Sequence, residues 1–462
     1  MKKTLSLVFL FLYFLISFSC VSKTERDVAS GTLLKATACD QLVVRALDPR
    51  DVLNHLAALY AQKRQCAGFS FNLESLSEKE LKIFSAVFDL NPIYNTKFKI
   101  PRPPELVTNK EKWLKVWDLY KGPHRNDAVV ALIDLANSTD DMSEKSRALF
   151  FLSKLYKKMK RPVESIKYME AAANSDFFSY HALAAHYELN RPLPPIRDVL
   201  NSPVTTFPFD PELSFLSSND LRLLKALVQN EEYGMLNRSC YALDKDWAQC
   251  ANMGIYLAEK VKYYNMFHFS FSYVNDAYKK DLFIRYSHLI FPTPYLKIAT
   301  EISQKTKTPV SLILAIIKQE SSLYTYSLSR APAYGLMQLI PSLAKNLATK
   351  YNVVGFNKTE DLFIPEINIP LGTYELADQI KLQKGQLTYV GIAYNAGPGR
   401  LKQWLAQPHS TDMFEFIEDI PYDETRNYVK IGARNMLFYQ RLMQPTQEIY
   451  FPEKFIKSAD LF

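Results

Sequence analysis

The sequence predicts an all-α protein, and three observations carry that reading. Apolar residues recur at three- and four-residue intervals along most of the chain, the period of a helix with one buried face. Only 13 glycines occur in 462 residues, few for a turn-rich β architecture. After residue 295 the helix signals sharpen, with proline or a capping residue at the head of successive runs. Hydrophobic residues make up 48% and charged residues 23%, the composition of a folded chain of two or three domains.

The first element is a leader. Lys2 and Lys3 precede the apolar run Leu5 to Phe18 and then Ser19-Cys20, a secretory signal peptide too short to span a bilayer as a helix. A cysteine at that point reads as a lipid anchor, giving a signal segment 1–20 with Cys20 modified and held at a membrane. Ser17-Phe18-Ser19 lacks the usual aliphatic residue three positions upstream and suits an ordinary signal peptidase equally. Four further cysteines, Cys39, Cys66, Cys240 and Cys250, are compatible with two disulfides between sequence neighbours, or with four buried thiols. None has metal-ligand spacing.

Residues 21–290 read as a succession of short amphipathic helices, among them Asp51–Gln62, Ser146–Lys157, Pro162–Asn174 and Asn219–Gln229, with breaks at Pro101–Pro104 and Pro192–Pro195. Arg147 to Asn190 looks like stacked helical hairpins, with Tyr156 and Tyr187 in comparable positions, so this region is expected to be a solenoid-like superhelix. Phe291-Pro292-Thr293-Pro294-Tyr295 interrupts the pattern and opens a second segment, 291–445, followed by an extended tail, 446–462. The second segment carries its own helix starts, stops and apolar faces and is expected to fold alone.

The net charge of +8 and pI near 8.9 suit a polyanionic partner. The basic residues are scattered and no nucleic-acid motif is present, so no nucleic acid is expected. Neither a His-Glu-x-x-His nor an EF-hand pattern occurs, and no metal or organic cofactor is expected.

Chemistry concentrates in the second segment. Thr308 and Pro309 suit the cap and first position of a helix that runs Val310 to Ile317, apolar on nearly every face, and ends in Lys318-Gln319-Glu320-Ser321-Ser322. Burial and the negative end of the helix dipole both destabilise a carboxylate at Glu320, as a general acid requires. Taken alone, Glu320 reads better as an exposed helix-end residue beside Lys318. Three further blocks follow: Gly335-Leu336-Met337-Gln338, Ala393-Tyr394-Asn395-Ala396-Gly397-Pro398-Gly399, and Glu424-Thr425-Arg426-Asn427-Tyr428-Val429.

In order and spacing these blocks resemble the catalytic domain of the soluble lytic murein transglycosylases, glycoside hydrolase family 23, over roughly residues 295–442. The resemblance implies a helical superhelix followed by a lysozyme-like domain. It also implies an exported, periplasmic enzyme on peptidoglycan glycan strands, tethered to the outer membrane if Cys20 is lipidated. Glu320 would be the single acid and base in a cleavage that consumes no water and closes a 1,6-anhydro ring on N-acetylmuramic acid. Ser329, Met337, Gln338, Tyr394, Asn395, Glu424 and Tyr428 would bind substrate, with Glu424 ionised while Glu320 is protonated. The helical arm would guide glycan or dock other cell-wall enzymes. A muramidase hydrolysing the same bond and a non-catalytic peptidoglycan-binding scaffold are the alternatives. Arg330 and Pro332 depart from the family's usual loop.

Overall fold

The computed structural model describes residues 38–46, 52–66, 69–85, 88, 104–196, 204–329 and 331–457. The leader, Cys20 and Arg330 lie outside them. Among the described residues secondary structure is helical, with two isolated bridges, Leu328 with Tyr334 and Tyr334 with Leu339. The chain forms two compact units, residues 1–100 with 210–249, and residues 101–209 with 250–462.

In the first unit the helices Cys39–Ala46 and Val52–Lys63 form a pair closed by a Cys39–Cys66 disulfide, Cα atoms 5.4 Å apart. Cys240 is also disulfide-bonded. Helix Glu78–Phe84 begins in a capping box: Ser77 accepts from the Glu80 amide while the Glu80 carboxylate accepts from the Ser77 amide. Lys79 pairs with Asp220 on helix Ser218–Gln229 at 3.1 Å.

The second unit opens with helices Pro104–Lys121, Arg125–Ser138, Met142–Lys158, Pro162–Ser175 and Tyr180–Glu188. Their ends are set locally: Asp141 and Ser179 cap the third and fifth, and Pro162 starts the fourth. Lys160 and Asn190 close two of them in the left-handed conformation. There the Arg161 amide donates to Tyr156 O at 2.9 Å and the Arg191 amide to His186 O at 3.0 Å. The repeat therefore aligns Tyr156 with His186, one residue from the expected Tyr187.

These helices share a core with the C-terminal ones. Glu418 on helix Met413–Asp419 is buried and takes Arg147, Lys430 at 3.0 Å and His181 at 3.2 Å. Burial alone would raise the Glu418 carboxyl, but Arg147 and Lys430 hold it well below the usual range. Burial lowers His181 to about 4 despite that carboxylate. Phe291 stacks on Phe438 at 5.1 Å, and the Tyr439 hydroxyl donates to Pro292 O at 3.0 Å. A cut at residue 291 therefore runs through this core. A fragment starting there would keep Lys430 on Glu418 but lose Arg147 and His181.

The stretch after 445 is a docked strap. The Leu193 amide donates to Ile449 O at 2.8 Å, Phe451 is buried beside Tyr180, and Phe455 O accepts from Thr388 Oγ1 at 2.7 Å and Gln386 Nε2 at 3.1 Å. Helix Val310–Ser321 lies buried from Ser311 to Ile317 and packs along helix Asp423–Met443. Its cap position is Pro309, and the buried Thr308 hydroxyl has no hydrogen-bond partner, so Thr308 does not cap it.

Candidate active site

The end of the buried helix fixes Glu320. Ser322 and Leu323 turn the chain out through the left-handed region, at φ 49° and 65°. The Ser321 hydroxyl donates to Leu336 O at 2.9 Å, which ties the helix end to the Gly-Leu-Met-Gln loop. Lys318 lies over the Phe291 ring at 5.5 Å.

That loop is held by a residue the sequence reading missed. Asn368, fully buried on helix Pro365–Leu382, accepts from the Met337 amide at 2.8 Å. Its own amide donates to Tyr334 O at 2.9 Å and Leu362 O at 2.8 Å. Gly335 sits against it at φ 77°, where an added Cβ would lie 2.1 Å from Leu362 O and 2.4 Å from Asn368 Nδ2. In sequence Asn368 is one more asparagine within a helical run, and the partners that explain it are backbone atoms far along the chain.

The resemblance implies that Met337 and Gln338 bind substrate. Met337 is fully buried, its sulfur where a Cβ on Gly372 would come within 2.5 Å, so its side chain packs the core. Its carbonyl instead accepts from the Tyr394 hydroxyl at 3.0 Å. Gln338, at φ 50°, folds its amide back to donate to Gly335 O at 2.8 Å and Ser327 O at 3.1 Å. Ser329 is exposed and bonds within its own turn, to Ala331 and Ala333.

The other blocks converge. Gly397, at φ 88°, separates helix Leu387–Ala396 from helix Pro398–Leu405, the turn expected of Gly-Pro-Gly. Asn395 accepts from Thr425 Oγ1 at 2.7 Å and donates to Glu424 Oε1 at 3.4 Å. Glu424 stands exposed in the first turn of helix Asp423–Met443. One turn on, the buried Tyr428 hydroxyl donates to Glu320 Oε1 at 2.6 Å. Burial pushes the Glu320 carboxyl up to about 7, Glu424's charge adds to the rise, and the Tyr428 bond opposes it. A carboxyl raised so far keeps its proton in a substantial fraction of molecules near neutrality and can give and retake it. Tyr394 and Tyr428 are raised well above their usual range, first by burial and then by Glu320, and stay protonated donors.

The transglycosylase SLT domain family matches residues 297–417. This stretch is similar to an SLT domain. The SLT match ends before Glu424 and Tyr428, which the fold brings to Glu320 nonetheless.

Over 154 residues the chain is 34% identical to the soluble lytic murein transglycosylase of Escherichia coli (strain K12), 33% of this chain and 24% of that protein. Over 113 residues it is 36% identical to membrane-bound lytic murein transglycosylase C of Cronobacter sakazakii (strain ATCC BAA-894), 23% of this chain and 31% of that one. The matched region thus spans about a quarter to a third of these relatives' length. Among solved structures, an inactive mutant of lytic transglycosylase Slt from Pseudomonas aeruginosa superposes with TM-score 0.62 at 21% identity, covering 90% of this chain and 64% of that one. The 70 kDa soluble lytic transglycosylase of Escherichia coli gives TM-score 0.54 at 19% identity, with coverages of 89% and 64%. The likeness in fold thus extends well beyond the SLT domain: a helical superhelix with a lysozyme-like domain.

Proposed function

We propose that the chain is a peptidoglycan lytic transglycosylase, exported to the periplasm and tethered through Cys20, with Glu320 as its one catalytic carboxyl. The observation that carries this is the pairing of a Glu320 raised to about 7 with the Tyr428 hydroxyl, inside an SLT domain. The relatives named above are murein transglycosylases, soluble or membrane-bound.

In this reading protonated Glu320 gives its proton to the oxygen linking N-acetylmuramic acid to N-acetylglucosamine, and the bond from that oxygen to the muramic acid C1 breaks. Positive charge at C1 is met by the substrate's own N-acetyl oxygen. Glu320, now a carboxylate held by Tyr428, takes the proton of the C6 hydroxyl as that oxygen bonds to C1. The 1,6-anhydro ring closes, the acid is regenerated, and no water is consumed. Tyr394 and Asn395 flank the acid, and Glu424 supplies fixed negative charge beside the developing cation.

The test is Glu320→Gln on purified sacculi with mass spectrometry of the products. Turnover should fall by about 10²–10⁴-fold, and wild-type products should end in anhydro sugars, one water lighter than hydrolysed ones. Hydrolysed ends would support the muramidase, and undiminished turnover in the variant would remove Glu320 from the chemistry.

A further inference from the structure

A row of aromatic rings runs out from the loop that follows Glu320. Tyr263 meets Tyr324 at 5.6 Å, Tyr324 meets Tyr326 at 6.0 Å, Tyr326 meets Phe363 at 5.6 Å, and Phe363 meets Tyr334 at 5.7 Å between centroids. Packing explains the inner rings but not the outer one. Tyr326 is 61% exposed, and Leu328 and Ile340 nearby are 58% and 51% exposed. Grouped apolar surface left in water on the loop that follows Glu320 is a place where a ligand can lie.

The backbone on either side of Tyr326 is also held. On one side Thr325 Oγ1 shares a hydrogen bond of 2.9 Å with the Tyr295 hydroxyl. On the other, Ser327 O accepts from the Gly335 amide at 2.8 Å and from Gln338 Nε2 at 3.1 Å. The same loop passes through Asn368 and Met337 to Tyr394. The backbone that carries the exposed ring is therefore fixed relative to the groups around Glu320, which limits what a ligand stacking on the ring loses by ordering it.

We propose that Tyr326, backed by Phe363 and Tyr334, is an accessory sugar-binding subsite that takes the apolar face of a pyranose ring of the glycan strand outside the Glu320 cleft. This rests on the reading of Glu320 as a glycan-cleaving acid. A polymer bound across that acid must leave the cleft, and the Tyr326 surface is continuous with the loop carrying Gln338. A flat ring with a hydroxyl at its edge suits a sugar, whose C–H face is apolar and whose rim is polar. Binding so far from the reacting bond would serve to orient a long strand.

The experiment compares wild type, Tyr326→Ala and Tyr326→Phe in the full chain. The ratio of kcat/KM on sacculi to that on short muropeptide oligomers should fall about 3- to 10-fold in the alanine variant, the range of one aromatic stacking contact. It should stay near wild type with phenylalanine. An unchanged ratio overturns the proposal, as does an equal loss on both substrates, which would make Tyr326 a support of the loop. Pelleting of Glu320→Gln with sacculi, with and without Tyr326→Ala, keeps this separate from the question of turnover. Equal binding of the two sinks the subsite, whereas absence of anhydro products from wild type sinks only the catalytic reading.

Discussion

Removing one hydroxyl should move the alkaline limb of the pH–rate profile in a direction fixed by the geometry. Tyr428 donates to Glu320 at 2.6 Å, a bond that stabilises the carboxylate more than the acid. A hydrogen bond to a charged group contributes roughly 1.5–3 kcal/mol, equal to about 1–2 pH units. The protonated acid also keeps some attraction to the phenol, so the lower end applies. In Tyr428→Phe the descending limb of kcat/KM, near pH 7 in the wild type, should rise by roughly one unit. Glu424→Gln removes a charge that raises the same acid, so its limb should move the other way. The assay follows anhydro ends on soluble oligomers from about pH 5 to 9, with melting curves to check that both variants fold. A Tyr428→Phe limb that stays in place or moves down would refute the role given to this bond.

Asn368→Ala removes three buried hydrogen bonds, at roughly 1 kcal/mol each. Urea titration should show a loss of about 3 kcal/mol, and activity should fall further than the folded fraction does, because Tyr394 loses its anchored carbonyl. Glu418→Gln leaves Arg147 and Lys430 short of their shared carboxylate and should cost about 3–5 kcal/mol, read as a lower urea midpoint, with the Glu320 limb unmoved. His181 carries a folded pKa of about 4 against an ordinary 6.5, so the neutral ring is the one the fold favours. Its contribution is full above pH 6.5 and is lost as pH falls toward 4, roughly 2–3 kcal/mol over that window; His181→Gln should flatten the stability curve there.

What was legible in the sequence was local. Pro162, Pro341 and Pro398 start helices where proline and spacing place them, and Ser77 and Glu80 form their box within four residues. The Glu320, Tyr394, Asn395, Glu424 and Tyr428 blocks could be named because each is contiguous. What escaped depends on distant partners. The Glu418 cluster draws on four separate helices, and nothing near Glu418 in sequence announces Arg147 or His181. Gln338 turns its amide inward because its backbone is left-handed, which residue type alone does not reveal. The first unit is discontinuous, with 210–249 rejoining residues from before 100, and periodicity cannot show that. The segment after 445 has little helical pattern, yet its carbonyls are anchors for Leu193 and Thr388.

The bond between Tyr428 and Glu320 closes over 108 residues of intervening chain. A contact of that span forms after the local hairpins do, since the entropy of closing so long a loop must be met before anything is gained. Until helix Asp423–Met443 docks along Val310–Ser321, the acid has neither its phenol partner nor the neighbouring charge of Glu424. The proposed acid is thus completed by assembly: a partly folded chain carries Glu320 without the surroundings that tune it. If the chain cuts cell wall as proposed, that ordering delays harm until the whole domain has closed.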